Sequence, residues 1–175
     1  LAEEHKNKIL VVEDEKNMRE ILKILLEGEG YDISAAKDAA EGISFIERDI
    51  FDLIITDVRM PGGNGLQILE KAQEISPETL VIIITAFGTI ESAIEAMKHG
   101  AYDYIHKPFK IDEIRLVVKN ALEKRKLRGE VSVLREKIKT TYALGNIFYK
   151  SAKMQEILKI LPKIAHSNSN LLITG

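Results

Sequence analysis

The chain contains no cysteine and no long apolar run. Without cysteine it can form neither a disulfide framework nor a zinc site built from thiolates. No stretch approaches the roughly 18 consecutive apolar residues that a membrane-spanning helix needs, and the opening segment LAEEHKNK lacks the hydrophobic core of a signal peptide. We therefore expect a cytoplasmic protein that does not contact a membrane.

Strong charge of one sign is also missing. The formal net charge is −2 and the pI is about 6.2, so the chain as a whole has no field that would attract nucleic acid or an anionic membrane surface. A partner must therefore be inferred from local groups of residues. The 175 residues, of which 45% are hydrophobic, suffice for one complete domain with some tens of residues left over.

Short β-branched runs alternate with helical patterns along the chain. We predict strands at residues 8–13, 31–35, 52–57, 80–85 and 102–106. The apolar spacing between them predicts helices at residues 17–27, 38–47, 66–75 and 90–98, and a fifth helix from about residue 111 to residue 139. This alternation of strand and helix predicts an α/β fold with a parallel sheet.

A doubly wound, flavodoxin-like sheet of five strands is the expected architecture, because crossovers are right-handed and helices cover both faces. The expected strand order is 2-1-3-4-5, so the first and third strands are neighbours. Ligands of such sheets bind beyond the carboxyl ends of the strands, where the winding direction changes. A functional site is therefore expected where the first and third strands end.

Polar side chains stand at the ends of four predicted strands. They are Glu13 and Asp14 after the first, Asp57 after the third, Thr85 after the fourth and Lys107 after the fifth. Each has an ordinary explanation when taken alone: Asp14 could cap the next helix, Thr85 could be a plain strand residue and Lys107 a surface charge. Because parallel strands bring all five to one edge, their combination instead predicts a functional site.

The carboxylates in this group predict a phosphoryl acceptor that depends on a metal ion. Three carboxylates within a few ångströms repel one another, so either one stays protonated or a cation binds. Mg²⁺ is the expected ion, because it takes oxygen ligands and no histidine or thiolate competes here. With the ion and Lys107 offsetting the charge of the transferred oxygens, Asp57 can attack a phosphoryl group, and Thr85 can donate its hydroxyl to it.

These residues stand in motifs that resemble the receiver domain of two-component response regulators, over residues 6 to about 125. The matching segments are Glu13 and Asp14 after ILVV, Asp57 within LIITDVRMPGGNG, Thr85 followed by Ala86, and KPF at residues 107–109. The resemblance implies that Asp57 accepts phosphate from a phosphohistidine on a sensor histidine kinase. It also implies that Mg²⁺ is bound by Asp14, Asp57 and the backbone carbonyl of Arg59, with Glu13 reaching the ion through water.

The resemblance further implies how the phosphate is read out. Tyr104 matches the family's switch aromatic and would move when the hydroxyl of Thr85 turns toward the phosphoryl group. The change would fall on the face formed by the fourth helix and the fifth strand, as a shift between two populated packings. The peptide between Lys107 and Pro108 is expected to be cis, as is typical of this family.

A narrower resemblance points to the nitrogen-regulation (NtrC) type of regulator, which activates sigma-54 polymerase. It is carried by TAFGTIESAIEAMKHGAYDYIHKPF at residues 85–109. The segment SAKMQEILKILPKIAHSNSNLLITG at residues 151–175 looks like the beginning of that group's AAA+ ATPase domain, with Gly175 as the first glycine of a phosphate-binding loop. The rest of that loop is not in this sequence, so we expect no ATP binding through it. Contacts with sigma-54 RNA polymerase and DNA would belong to domains outside this sequence.

Helical sequence continues beyond the part that resembles a receiver. Leu127, Val131, Leu134 and Ile138 follow a heptad spacing, which predicts a seam through which the fifth helix and its extension form a homodimer. The basic residues at 124–128 are interpreted as a solvated helix face, because no recognition-helix or aromatic pattern accompanies them. The predicted division is a receiver domain at residues 1–125, a dimerising helical linker at 126–142 and an AAA+ fragment at 143–175, with a strand at 171–175.

Other functional classes fit the residues less well. A haloacid-dehalogenase-type phosphatase carries an acid two residues after its nucleophile, where this chain has Arg59, and a flavodoxin-type FMN carrier needs a Ser-, Thr- and Gly-rich loop in place of EDEKNM. A phosphorylation-independent interaction module would not need the acids, Thr85 and Lys107 together. We expect a regulatory receiver and no enzyme: it takes phosphate from a donor and loses it slowly, because Phe87, at a position that tunes hydrolysis in the family, cannot orient a water.

Overall fold

The computed structural model describes residues 6–61, 63–86, 90–142, 151–165 and 172. Contacts divide the chain into two compact units, Leu1–Arg128 and Gly129–Gly175. None of the helices in these described ranges is both long enough and apolar enough to cross a membrane. The predicted strand at residues 171–175 lies outside the described residues, apart from Leu172, which is in no regular element.

Five parallel strands form the sheet of the first unit. They are β1 (Lys8–Val12), β2 (Asp32–Ala36), β3 (Leu53–Asp57), β4 (Leu80–Thr85) and β5 (Asp103–His106). Their order is β2-β1-β3-β4-β5, which confirms the predicted doubly wound fold. The register pairs Val12 with Thr56 and Thr85 with His106, so the carboxyl ends of the strands share one edge. The central strands β3 and β4 are buried along their whole length, as expected when helices cover both faces of a parallel sheet.

The described residues form six helices. They are α1 (Lys16–Gly28), α2 (Ala39–Arg48), α3 (Gly65–Ile75), α4 (Ile90–Lys98), α5 (Ile111–Tyr142) and α6 (Ala152–Ala165). Asp38, the first residue of the second predicted helix, is the N-cap of α2, because its side chain accepts a hydrogen bond from the Glu41 N–H at 2.8 Å. The capping role considered for Asp14 is wrong: Glu15 occupies the N-cap of α1, and no side chain caps that helix.

Alternate residues along the strands pack against opposite layers of helices. One layer contains α2, α3 and part of α4, and its core includes Leu10, Val12, Ile54, Ile68, Leu69, Ile83 and Ala96. The other contains α1 and the first turns of α5, and its core includes Ile9, Val11, Leu22, Leu26, Ile82, Ile114 and Val118. Burial of these aliphatic side chains is the main source of stability. Polar residues therefore occur at the ends of the strands, outside these apolar layers.

The far end of the packed part of α5 is held by an ion pair that the sequence analysis did not predict. Asp52, at the start of β3, is buried; it accepts the Lys8 N–H at 2.7 Å and pairs with the guanidinium of Arg125. Arg125 also donates to the Glu78 carbonyl at 3.1 Å. The predicted solvated basic face is therefore wrong for Arg125, although the other basic residues at 124–128 are exposed.

Replacing Asp52 with alanine should lower the free energy of unfolding by about 2–4 kcal/mol, because Arg125 and the Lys8 N–H both lose a buried partner. Asp49→Ala is the matched control: Asp49 pairs with Lys8 at 3.0 Å on the exposed surface, so its loss should cost less than about 1 kcal/mol. Urea unfolding of both variants measures the difference. Equal losses would show that the Asp52–Arg125 pair does not fix α5.

Candidate functional site

The carboxyl edge of the sheet brings together the four charged residues predicted for the site. Glu13, Asp14 and Asp57 each offer a carboxylate oxygen, and these atoms all lie within 4.8 Å of one another. The ammonium of Lys107 lies 2.6 Å from Glu13 Oε2 and 2.7 Å from Asp57 Oδ2. These four side chains therefore lie together at one edge of the sheet, as predicted.

The site is buried on one side and open on the other. Glu13 and Asp57 are 2% and 7% exposed, and the side chain of Lys107 is 12% exposed. Asp14, in contrast, is exposed. One ammonium thus contacts two buried carboxylates, and the third carboxylate marks the side from which an ion or a small anion can approach.

Burial and charge shift the pKa values of two of these groups. Burial raises the pKa of Glu13, and Asp57 adds to the rise, although the hydrogen bond and charge of Lys107 oppose it. Burial alone would lower the pKa of Lys107, but its hydrogen bonds to Asp57 and Glu13 outweigh burial and raise that pKa. The ammonium of Lys107 is therefore charged. It offsets only part of the negative charge of the carboxylates, and a divalent cation, which prefers oxygen ligands, can offset the rest.

The backbone that carries the first two acids is fixed by an arginine that the sequence analysis missed. Arg19, in the first turn of α1, donates from Nη1 to the carbonyls of Glu13 at 2.7 Å and Asp14 at 3.2 Å. Because these bonds span the turn between β1 and α1, they set where both acids point. No motif identifies Arg19, since an arginine near the start of a helix has nothing in its spacing that marks such a contact.

The loop after Asp57 contains regular backbone pairing. Arg59 donates its N–H to Asp57 Oδ1 at 3.0 Å, which places the Arg59 peptide beside the carboxylate. A two-residue antiparallel ladder then pairs Arg59 with Asn64 and Met60 with Gly63. After this ladder the Gly65 N–H donates to the Val58 carbonyl at 3.0 Å. The helix α3 begins at Gly65, with Asn64 as its N-cap.

The remaining predicted residues lie on the two neighbouring strands. Thr85 ends β4 and is fully buried, and its carbonyl accepts the Lys107 N–H at 2.8 Å. Tyr104, in β5, is half-buried and packs on the core layer that contains α2 and α3. The peptide between Lys107 and Pro108 is cis, as the family resemblance implied. Phe87 lies outside the described residues.

Replacing Glu13 with glutamine should change how stability depends on pH. The pKa of Glu13 is raised above its ordinary value of 4.5 in the folded protein, so the folded state binds that proton more tightly than the unfolded state. The stabilisation from protonated Glu13 is therefore complete below the ordinary pKa and is lost as the pH rises through the folded-state pKa. Glutamine stays neutral and keeps the shape of the side chain.

The free energy of unfolding of Glu13→Gln, measured in urea without divalent ions, should consequently increase relative to that of the parent as the pH rises from the ordinary pKa of 4.5 through the raised folded-state pKa. Both proteins are measured in the same buffers, so that contributions from other groups cancel. If the free energy of unfolding of Glu13→Gln minus that of the parent stays constant or decreases with pH, the raised pKa of Glu13 is contradicted.

Comparison with known proteins places this geometry in a family. The response regulator receiver domain family matches residues 9–119. Over 169 residues the chain is 33% identical to the regulatory protein AtoC of Escherichia coli strain K12, covering 97% of this chain and 37% of AtoC. It is also 33% identical over 169 residues to the nitrogen assimilation regulatory protein NtrX of Azorhizobium caulinodans, covering 95% and 36%. The chain thus spans little more than a third of the length of these curated relatives.

Solved structures agree with the sequence relatives. The beryllofluoride-activated NtrC4 receiver domain dimer is 37% identical, with a TM-score of 0.64, and the match covers 67% of this chain and 98% of that one. The response regulator TrrA from Thermotoga maritima, in complex with Mg²⁺ and BeF, is 34% identical, with a TM-score of 0.60 and coverage of 66% and 99%. The predicted resemblance to nitrogen-regulation-type receivers is confirmed, and the chain belongs to the response regulator receiver domain family.

Proposed function

We propose that this chain is the phospho-accepting switch of a two-component system, in which Asp57 takes a phosphoryl group from a sensor histidine kinase. The observation that carries the proposal is the placement of Asp57 between Lys107 and two further carboxylates at the switch point of the sheet. A carboxylate oxygen of Asp57 attacks phosphorus while the bond from phosphorus to the histidine nitrogen of the donor breaks. The product is an aspartyl phosphate.

Mg²⁺ is the proposed ion, held by Asp14, Asp57 and the backbone carbonyl of Arg59, with Glu13 acting through water. The donor set fits, since it consists of oxygens only and the acids already lie within 4.8 Å of one another. The hydrogen bond from the Arg59 N–H to Asp57 keeps the backbone of residue 59 beside the carboxylate. When bound, Mg²⁺ would offset the charge of the transferred oxygens. TrrA, a receiver of the same fold, was solved with Mg²⁺ and BeF.

Lys107 and Thr85 are proposed to stabilise the phosphoryl group. The ammonium of Lys107 is already within hydrogen-bond distance of Asp57, so it can exchange a carboxylate oxygen for a phosphoryl oxygen with little movement. Thr85 ends the neighbouring strand, and its backbone is bonded to that of Lys107. Its hydroxyl would donate to another phosphoryl oxygen, and a shift of Thr85 would reach the adjoining strand β5.

Tyr104 is the proposed switch residue. It lies on β5, three residues before Lys107, and its half-buried side chain packs against the core layer that contains α2 and α3. Two packings of such a side chain can differ little in free energy, so phosphorylation needs to favour one by only a few kcal/mol to shift the population. The affected surface is the face formed by α4 and β5.

The proposed output is a change in pairing between two copies of the chain through α5 and its extension. Beyond Arg125 the side chains of α5 are exposed as far as residue 135, and three apolar ones, Leu127, Val131 and Leu134, are 60%, 45% and 57% exposed. An apolar seam of this kind is stabilised when it meets a second copy. The solved NtrC4 receiver domain is a dimer.

The proposed downstream target is a sigma-54 activator ATPase. Residues 143–175 would form the N-terminal fragment of its AAA+ domain, residues 126–142 the linker, and residues 1–125 the receiver. Polymerase and DNA would be contacted by parts of the protein outside this sequence. Family membership favours this regulatory role over a haloacid-dehalogenase-type phosphatase, as does the position of Arg59 two residues after Asp57.

Incubation with acetyl phosphate and Mg²⁺ should add one phosphoryl group to the parent chain and none to Asp57→Asn, as measured by intact mass spectrometry. Asp38→Asn is a matched control, because the side chain of Asp38 caps α2 and is not part of the carboxylate group formed by Glu13, Asp14 and Asp57, and asparagine also caps helices; it should be phosphorylated like the parent. After removal of the donor the adduct should persist for minutes or longer. An adduct on Asp57→Asn would exclude Asp57 as the acceptor, and a half-life of seconds would contradict slow hydrolysis.

Beryllofluoride with Mg²⁺ mimics the phosphoryl group and should change the mass or shape of the parent chain in solution. Multi-angle light scattering with small-angle X-ray scattering measures both properties. The change should be absent in Asp57→Asn, and Leu134→Glu, which places charge in the exposed seam, should be monomeric with or without the mimic. No response of the parent in mass or shape would reject control of pairing by phosphorylation.

A further inference from the structure

Gly65, the first residue of α3, lies against the backbone of the proposed phosphoacceptor. A Cβ at this position would overlap the carbonyl oxygen of Asp57 and lie 3.0 Å from its carbonyl carbon and 3.2 Å from Thr56 Oγ1. The first two of these atoms belong to the backbone of β3, so they cannot rotate away as the end of a side chain can. Any side chain at residue 65 must therefore move the backbone of Asp57 or that of α3.

Lack of space is the reason that this position needs glycine. Among the described glycines, a positive φ occurs at Gly30 (91°) and Gly100 (90°) and not at Gly65. Alanine could therefore adopt the backbone conformation of Gly65 without strain. What alanine cannot do is keep the close approach to Asp57.

The contacts around Gly65 form a closed path that returns to the carboxylate of Asp57. Gly65 donates its N–H to the Val58 carbonyl at 3.0 Å, and the residue before it, Asn64, pairs with Arg59 across the short ladder. Arg59 in turn donates its N–H to Asp57 Oδ1 at 3.0 Å. The position of α3 thus determines both the backbone of Asp57 and the peptide that contacts its side chain.

We propose that Gly65 is a positioning residue for phosphoryl transfer to Asp57, and this inference rests on the proposed function. The missing side chain lets α3 lie close to the Asp57 carbonyl, which fixes the backbone of Asp57 and keeps residue 59, whose N–H contacts the carboxylate, beside it; the carbonyl of Arg59 would be one ligand of the metal. Gly65 touches neither the phosphoryl group nor the ion. Relief of the overlap in Gly65→Ala needs a displacement of about 1 Å, a misplacement that can slow a positioned reaction by about 100-fold.

Gly63 provides a matched control from the same loop. A Cβ there would overlap the Cβ of Ala39 in α2 and lie 3.3 Å from Gln67 Oε1. Gly63→Ala therefore introduces a comparable overlap in the same ladder, but the overlap is with α2 and not with Asp57. Gly28→Ala is the neutral control, because nothing lies within 4 Å of a Cβ at residue 28.

The test compares the three alanine variants with the parent at a temperature at which all are folded by circular dichroism. Intact mass spectrometry gives the rate of phosphorylation by acetyl phosphate and Mg²⁺, and calorimetric titration without donor gives the dissociation constant for Mg²⁺. We expect Gly65→Ala to be phosphorylated about 10- to 100-fold more slowly than the parent and to bind Mg²⁺ more weakly. Gly63→Ala should lose stability but keep both properties within about 2-fold, and Gly28→Ala should match the parent.

Asn64→Ala carries the test should Gly65→Ala fail to fold. It removes the side chain that accepts the Leu66 N–H at 2.9 Å, which loosens the first turn of α3 at a cost of only about 1 kcal/mol. The proposal then requires slower phosphorylation and weaker Mg²⁺ binding in this folded variant.

The outcomes separate this inference from the function on which it rests. A parent that acquires no phosphoryl group on Asp57 overturns the proposed function, and the role of Gly65 falls with it. If the parent is phosphorylated on Asp57 and Gly65→Ala is phosphorylated at the same rate, only the role of Gly65 is overturned. Equal losses of rate in Gly65→Ala and Gly63→Ala would also overturn it, because loop distortion alone would then explain both.

Discussion

The contact of one ammonium with two buried carboxylates is the interaction on which the site depends. Lys107 reaches Glu13 and Asp57 across 94 and 50 residues of sequence, so the contact exists only when three strands are correctly ordered in the sheet. Two carboxylates buried side by side without it would carry a large electrostatic cost. The fold therefore assembles a group in which one ammonium offsets only part of the charge of two buried carboxylates, and the exposed acid Asp14 adds to the negative charge that a divalent ion would offset.

Much of this arrangement could be predicted, because its parts have local signals. The strands are short runs of β-branched residues and the helices between them have regular apolar spacing, so the alternation predicts a parallel sheet, and right-handed crossovers limit its strand order. Asp57, Thr85 and Lys107 could be identified since each is a polar residue at the end of an apolar run. Because the strands are parallel, these three residues must lie at the same edge of the sheet. Element boundaries differ from the predicted ones by a few residues, since helix ends depend on local capping.

The features that were not predicted are contacts between segments with no pattern of their own. Arg125 looks like any basic residue on an exposed helix, and only the assembled fold shows that it meets Asp52. The short ladder at residues 59–64 has two-residue strands, too short for a periodic signal. Gly65 is one of 11 glycines in the sequence, and the sequence does not distinguish a glycine required by close packing from one required by a turn.

The ion pair between Arg125 and Asp52 joins α5 to the residue that precedes β3. Asp57 ends the same strand, and all five residues of that strand are buried. Because a close-packed interior transmits a displacement and does not absorb it, β3 is a rigid connection between the carboxyl edge of the sheet and the last packed turn of α5. One short strand thus joins opposite ends of the receiver.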